Sequence, residues 1–244
     1  MRTIRRLVED LGERALRFTR ELGSMSLLAG QTFYHAVTPP FYLRLMVAQM
    51  DHIAVQSVSI VAVAGTFVGL VLALQTTYGL ARFGAKGTVG IIVGLSMIRE
   101  LGPVVTAILV GGRVGSGFTA ELGSMKVTEQ IEALRALGVS PIKRLVVPRV
   151  LVTMLSLPLL TIIANALGIL GGMLISQHEF NVPHRVYYNG VTQYVRLADM
   201  LDGLGKTVVS ASSSGWWAAT TASPRAAAPR AWAARPPGPW SPRR

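Results

Sequence analysis

From residue 53 to residue 78 the chain carries no charged side chain. A helix of that length crosses a hydrocarbon layer of roughly 30 Å with some tilt, and this stretch is the first of three such runs. The second spans about residues 88–110 and the third about 145–175. Half of the 244 residues are hydrophobic, 15% are charged and the mean hydropathy is +0.45, too apolar for an ordinary soluble domain of this size. The chain therefore reads as an all-α integral membrane protein with three transmembrane helices. Its organisation divides into an interfacial region at 1–50, a membrane domain at 51–209 and a compositionally distinct tail at 210–244.

The formal net charge of +12 does not indicate nucleic acid, because the arginines cluster near the N-terminus, around one central segment and in the tail, between runs that are insoluble on their own. In the first 22 residues Ile4, Leu7, Val8, Leu11, Ala15, Phe18 and Leu22 share one helical face, while Arg2, Arg5, Arg6, Arg14, Arg17 and Arg20 lie largely elsewhere. This pattern fits a basic amphipathic helix in the anionic headgroup layer, or a soluble helix packed on a partner. Phe33, Tyr34, Phe41 and Tyr42 around Pro39 and Pro40 suit an interfacial elbow. The sequence has no cysteine, and His35 and His52 have no metal-ligand partner at suitable spacing. No nucleophile, base and orienting group are spaced to form an enzyme site.

Two charges interrupt the second run. Arg99 and Glu100 precede Gly102 and Pro103, and each charge costs about 3 kcal/mol at a helix centre unless it is paired or faces a wet cavity. Adjacent residues sit about 100° apart around a helix, so partners are expected from another helix or a second subunit, with Lys206 a candidate. The two readings are a buried pair that fixes helix register and a polar substrate cavity or switch. Changing both residues to leucine is expected to be milder than changing either alone. Gly65 with Gly69, and Gly168 with Gly172, form small-xxx-small pairs suited to close helix packing. Pro158 predicts a kink in the third run and Asn165 is its main buried polar group. The glycines around Arg113 do not complete a nucleotide loop. The stretch from Gly203 to Thr207 resembles the end of a phosphate-binding loop, but Met200 stands where the first glycine belongs.

Between the second and third runs lies a polar segment, about 119–144. Thr128 is placed to cap a helix whose first turn carries Glu129 and Gln130, Gly138 sits where a left-handed C-cap belongs, and Pro141 blocks continuation. Ile131, Leu134 and Leu137 recur at three-residue steps, with Glu129, Glu132 and Arg135 off that row. Such a helix is either a solvated connection or a surface for a partner. The positive-inside rule puts the N-terminus and this segment, with Lys126, Arg135, Lys143 and Arg144, in the cytoplasm. The turn at Arg82 and residues 177–202 then face the opposite side.

Glu132, Ala133 and Gly138 at this spacing resemble the coupling loop by which ABC-transporter permeases engage their ATPase subunits. The longer run RELGPVVTAILVGGRVGSGFTAELGSMKVTEQIEALRALGVSPIKRLVVPRV is similar to the MlaE-like (YrbE-like) permeases of Mla/MCE-type lipid transporters, and the resemblance extends over about residues 1–209. It implies five membrane helices and a permease of the bacterial inner membrane that pairs with a second permease copy. It further implies docking on cytoplasmic ABC ATPase subunits through Glu129, Glu132, Ala133, Leu134, Leu137, Gly138 and Pro141, and exchange of phospholipid or a related lipid with a periplasmic MCE-domain protein. ATP and magnesium would then belong to the partner, with no cofactor in this chain. Arg99, Glu100 and Lys206 fall where the family places polar residues near its lipid path. The other reading is an ATP-independent lipid-binding or scaffold protein.

After Val209 the sequence departs from that family. Residues 210–244 contain only Ala, Gly, Pro, Arg, Ser, Thr and Trp, including all four tryptophans. As a polypeptide this composition suits a disordered tail. Every residue in it has a GC-rich codon, and regrouping generic codons for Ser-Ala-Ser-Ser-Ser-Gly-Trp-Trp by one base gives mainly apolar residues. The expectation is a reading-frame slip that replaces two further spans.

Overall fold

The protein is described by a computed structural model that covers residues 43–221 continuously, together with isolated helical positions between 12 and 34. The basic amphipathic helix, the Phe33–Tyr42 aromatic elbow and residues 222–244 of the tail thus lie wholly or mostly outside the described residues.

Among the described residues all regular structure is helical. Helix α1 (Leu43–Met50) runs through a π-helical turn, Asp51–Val55, into α2 (Gln56–Ala81). A tight turn follows, with Gly84 at φ +68°. Then α3 (Val89–Ser96), a second π turn at Met97–Leu101 and α4 (Gly102–Val127) form one long rod. A short helix, α5 (Gln130–Ala136), and a third π turn at Ile142–Val146 lead into α6 (Val147–Phe180). The chain then forms α7 (His184–Tyr194) and α8 (Leu197–Thr221).

Three continuous helical stretches are long and apolar enough to cross a membrane: Arg44–Ala81, Lys86–Val127 and Ile142–Phe180. Each contains one of the expected runs. Each is also longer than a bilayer requires, since 38 residues at about 1.5 Å per residue extend nearly 60 Å. The expected polar loop is accordingly shortened. Its first residues, 119–127, are the last two turns of α4 rather than a connection.

The pairing of α2 with α6 organises the bundle. On α2 the buried positions are Ser57, Val61, Gly65, Gly69, Ala73 and Thr77, a strict four-residue repeat. On α6 the row Ser156, Leu160, Ala164, Gly168, Gly172 and Ser176 repeats at the same interval. Ridges of one four-residue spacing thus meet ridges of the same spacing. Small residues set the separation. A Cβ added at Gly65 would lie 2.9 Å from the Ala164 backbone, and one at Gly69 would overlap the Gly168 carbonyl. The four glycines singled out in sequence therefore pack on one another. The outward positions Val63, Phe67 and Val71 are exposed, as suits a helix with protein on one side and lipid on the other.

Helix α8 lies across α4 and α6. Its Ala211 is buried in a core with Val110, Val114, Phe118 and Leu157. The expected boundary at Val209 therefore falls inside a helix, and the described structure continues unbroken to Thr221. Helix α7 packs on α3, where Tyr187 joins Ala73, Val89, Val93 and Met97 in a second core. Pro158 is accommodated within an uninterrupted α6.

Candidate functional site

Two places carry polar chemistry on this apolar frame. One is the π turn at Met97–Leu101, in the first half of the second rod. Pro103 has no backbone N–H, so the ladder of backbone donors is interrupted just after this turn. Lys206 supplies a substitute: its Nζ donates to the Arg99 carbonyl oxygen at 3.1 Å and to Glu100 Oε1 at 2.7 Å. The same ammonium lies 3.3 Å from Asp202 Oδ2. Gly203 allows this approach, because a Cβ there would overlap the Ile98 carbonyl oxygen. The stretch that mimics a phosphate loop is thus a helix surface fitted to another helix's backbone.

Arg99 pairs separately. Its guanidinium donates from Nε to Asp199 Oδ1 at 2.8 Å and from Nη2 to the same oxygen, while Asp199 Oδ2 accepts from the Arg196 backbone N–H at 2.9 Å. Asp199 is buried, whereas the Arg99 and Glu100 side chains are 53% and 63% exposed. Sequence reasoning identified Lys206 but missed Asp199, which lies in a mixed-charge stretch assigned to an external connection. The available signal was the spacing of Asp199, Asp202 and Lys206 on one face of a helix. Because the partners are on α8, Arg99 and Glu100 do not compensate one another. The expectation that their joint loss is milder than either single loss does not follow from this geometry: removing both leaves Asp199 with the Arg196 amide and Lys206 with Asp202 and the backbone carbonyl at position 99.

Asn165 is buried, with its Oδ1 lacking a hydrogen-bond partner and filling the space beside Gly102. Thr106 and Thr161 join hydroxyls at 2.7 Å nearby on the α4–α6 interface.

The second place is the turn around α5. Thr128 does not cap this helix. It ends α4 instead, its hydroxyl donating to the Ser124 carbonyl at 2.9 Å, and Glu129 enters α5 in the left-handed region at φ 57°. The C-terminus forms as expected: Gly138 has φ +72°, its N–H donates to Arg135 O, and the Val139 N–H donates to Leu134 O, both at 3.0 Å. Pro141 adopts helical angles and leads into the third rod. Ile131 is buried and Leu134 half-buried, but Leu137 is 76% exposed, so the apolar row does not share one buried face. Glu129, Glu132, Ala133, Leu137 and Gly138 form the exposed surface.

Beneath this turn sits an ion pair that sequence reasoning did not find. Arg149, on the first turn of α6, is buried and binds Glu121 of α4, with its guanidinium carbon 5.1 Å from the centre of the Phe118 ring. Reading residues 145–175 as a span concealed it, although an arginine there required a partner for the same reason as Arg99.

Comparison with known proteins places this arrangement. The family model described as permease MlaE matches residues 46–223. A probable ABC transporter permease protein of Rickettsia conorii is 37% identical over 83% of this chain and 78% of its own length. The intermembrane phospholipid transport system permease protein MlaE of Haemophilus influenzae is 37% identical over 86% of this chain and 80% of its own. The Arabidopsis thaliana chloroplastic protein TRIGALACTOSYLDIACYLGLYCEROL 1 is 31% identical over 81% and 58%. The match extends through α1 to α8, over both polar places, and the chain belongs to the MlaE permease family.

Proposed function

We propose that this chain is the membrane subunit of an ABC transporter that moves phospholipid or a related lipid between the bacterial inner membrane and a periplasmic MCE-type protein. The observation that carries the reading is the α5 turn, a short helix closed at its C-terminus and set between two long apolar rods, with Glu132 and Leu137 turned outward. A helix of seven residues gains little from its own hydrogen bonds in water; Ile131 anchors it to α4, and its exposed acid and leucine suit a docking groove on an ATPase subunit. That subunit would bind ATP and magnesium. In this reading the α5 turn and the N-terminus are cytoplasmic.

The exposed charges at Arg99, Glu100 and Lys206 support a second permease copy or a wet lipid path between copies, because an apolar environment disfavours charges so placed. The lipid phosphate and the amphipathic headgroup chemistry match such a lining. Reconstitution with the ATPase subunit in phospholipid vesicles tests the function. Glu132→Lys should weaken association of the two proteins and remove lipid-stimulated ATP hydrolysis. Unchanged association and turnover would leave an ATP-independent lipid-binding or scaffold protein as the surviving reading.

A further inference from the structure

Arg149 and Asp199 are the two buried charged residues among those described. Asp199 belongs to the cluster at the Met97–Leu101 turn, whereas Arg149 touches neither that cluster nor the exposed surface of α5. It is 4% exposed, its Nη2 is paired with Glu121 Oε1, and its Nη1 has no hydrogen-bond partner. Phe118, one turn before Glu121 on α4, is also buried and lies under the guanidinium plane.

This placement joins two bodies. Helix α5 packs on the end of α4, with Ile131 as its buried residue. The last turns of α4 and α5 therefore form a projecting unit, which α6 meets through the Val139–Pro141 connection and through Arg149. Helix α6 in turn packs along α2 and α8, the latter carrying Asp199 and Lys206.

Stability alone does not account for an arginine here. A buried ion pair is often no better than a well-packed apolar replacement, whereas loss of one partner is strongly unfavourable. What the pair adds is a specific register between α4 and α6. The unpartnered Nη1 gives the guanidinium a donor to spend on a second arrangement of the same helices. We propose that Arg149, held by Glu121 and Phe118, is the positioning residue that transmits movement of the α4–α5 unit to α6. This inference rests on the transporter reading above, and it assigns Arg149 no contact with the ATPase or the lipid.

The test uses the chain with its ATPase subunit in phospholipid vesicles, reading subunit association, ATP hydrolysis and lipid transferred per ATP. Arg149→Met and Glu121→Gln should retain association and basal hydrolysis while lipid transferred per ATP falls about ten-fold, within the usual range of coupling energies. The exchange Glu121→Arg with Arg149→Glu should recover much of that loss, giving a non-additive cycle. If Glu121→Gln, which leaves the buried guanidinium without its counter-ion, lowers the unfolding temperature so far that no complex forms, Arg149→Met carries the test, since it puts an apolar side chain in the buried place and leaves only the partly exposed Glu121 unpaired; full transfer per ATP in that variant likewise overturns the proposal. Full transfer per ATP in Glu121→Gln overturns the proposal, as does an exchange variant that folds normally but is as uncoupled as the single changes. A wild-type chain that neither associates with the ATPase nor alters its turnover overturns the transporter reading itself, and with it the role of Arg149.

Discussion

Lys206 Nζ lies 2.7 Å from Glu100 Oε1 and 3.1 Å from the Arg99 carbonyl oxygen, so one ammonium neutralises an acid and closes the backbone gap that Pro103 opens. Lys206→Met should therefore lower the unfolding midpoint in detergent, modestly because both side chains of the ion pair are partly exposed. Pro103→Ala restores the missing N–H, and the Lys206→Met effect should shrink in that background. Equal effects in both backgrounds would show that Lys206 does not serve the carbonyl.

The partition of charges onto α8 makes a second test. Arg99→Leu leaves the buried Asp199 with only the Arg196 amide, and a loss of about 1–3 kcal/mol is expected. Arg99→Leu with Asp199→Leu should recover most of it, whereas Arg99→Leu with Glu100→Leu should be worse than either single change. Thermal unfolding of the four variants decides this. A milder effect for the Arg99 and Glu100 pair would mean that the neighbours compensate one another.

What the sequence revealed and concealed follows from the range of the interactions. The Gly65/Gly69 and Gly168/Gly172 spacings were readable because a four-residue ridge is a local pattern that leaves little besides close packing. Gly138 was readable because its left-handed C-cap is also local. Thr128 was misjudged because its hydroxyl had two local carbonyl and amide partners to choose between, and the Ser124 carbonyl one turn back won. Asp199 and Glu121 became partners only when distant helices met, which periodicity does not encode. Lys206 was the exception, since an intramembrane acid demands a base and few were available.

The α2–α6 seam predicts a steep size limit. Gly69→Val should prevent the close approach to Gly168 and cost about 1–3 kcal/mol or more, because the obstructing atom is a backbone carbonyl that cannot turn aside. Gly79→Ala, at a helical site with nothing near its added Cβ, should be neutral or slightly stabilising. Comparing membrane-extracted yield and unfolding midpoint separates the two. A tolerated Gly69→Val would require the helices to part.

On α5, Leu137 and Ile131 should separate binding from stability. Leu137 is 76% exposed and Ile131 7%, although both belong to one sequence row. Leu137→Ser should leave the unfolding midpoint of the isolated chain nearly unchanged and weaken ATPase association by about ten-fold, some 1.4 kcal/mol. Ile131→Ser should instead lower the midpoint, by about 1–3 kcal/mol. Unaltered association in Leu137→Ser would place the docking surface elsewhere.

The final test concerns the composition change after Val209. Ala211 is fully buried and α8 continues to Thr221, so the helix does not end at Val209 and Ala211 is built into the bundle. Serine and alanine are small enough to follow α4 there without steric conflict, but they bury little apolar area, and fully burying a leucine-sized side chain contributes about 1.5–3 kcal/mol. If residues 210–244 are read out of frame, the neighbouring frame from the Val209 codon must encode a predominantly apolar segment. Expressing that frame should then raise the unfolding midpoint and the yield of membrane-inserted protein. Sequencing the gene across this codon and comparing the two products decides the matter: a polar or interrupted neighbouring frame, or a restored product no more stable than the present chain, would establish the 210–244 sequence as the chain's proper continuation.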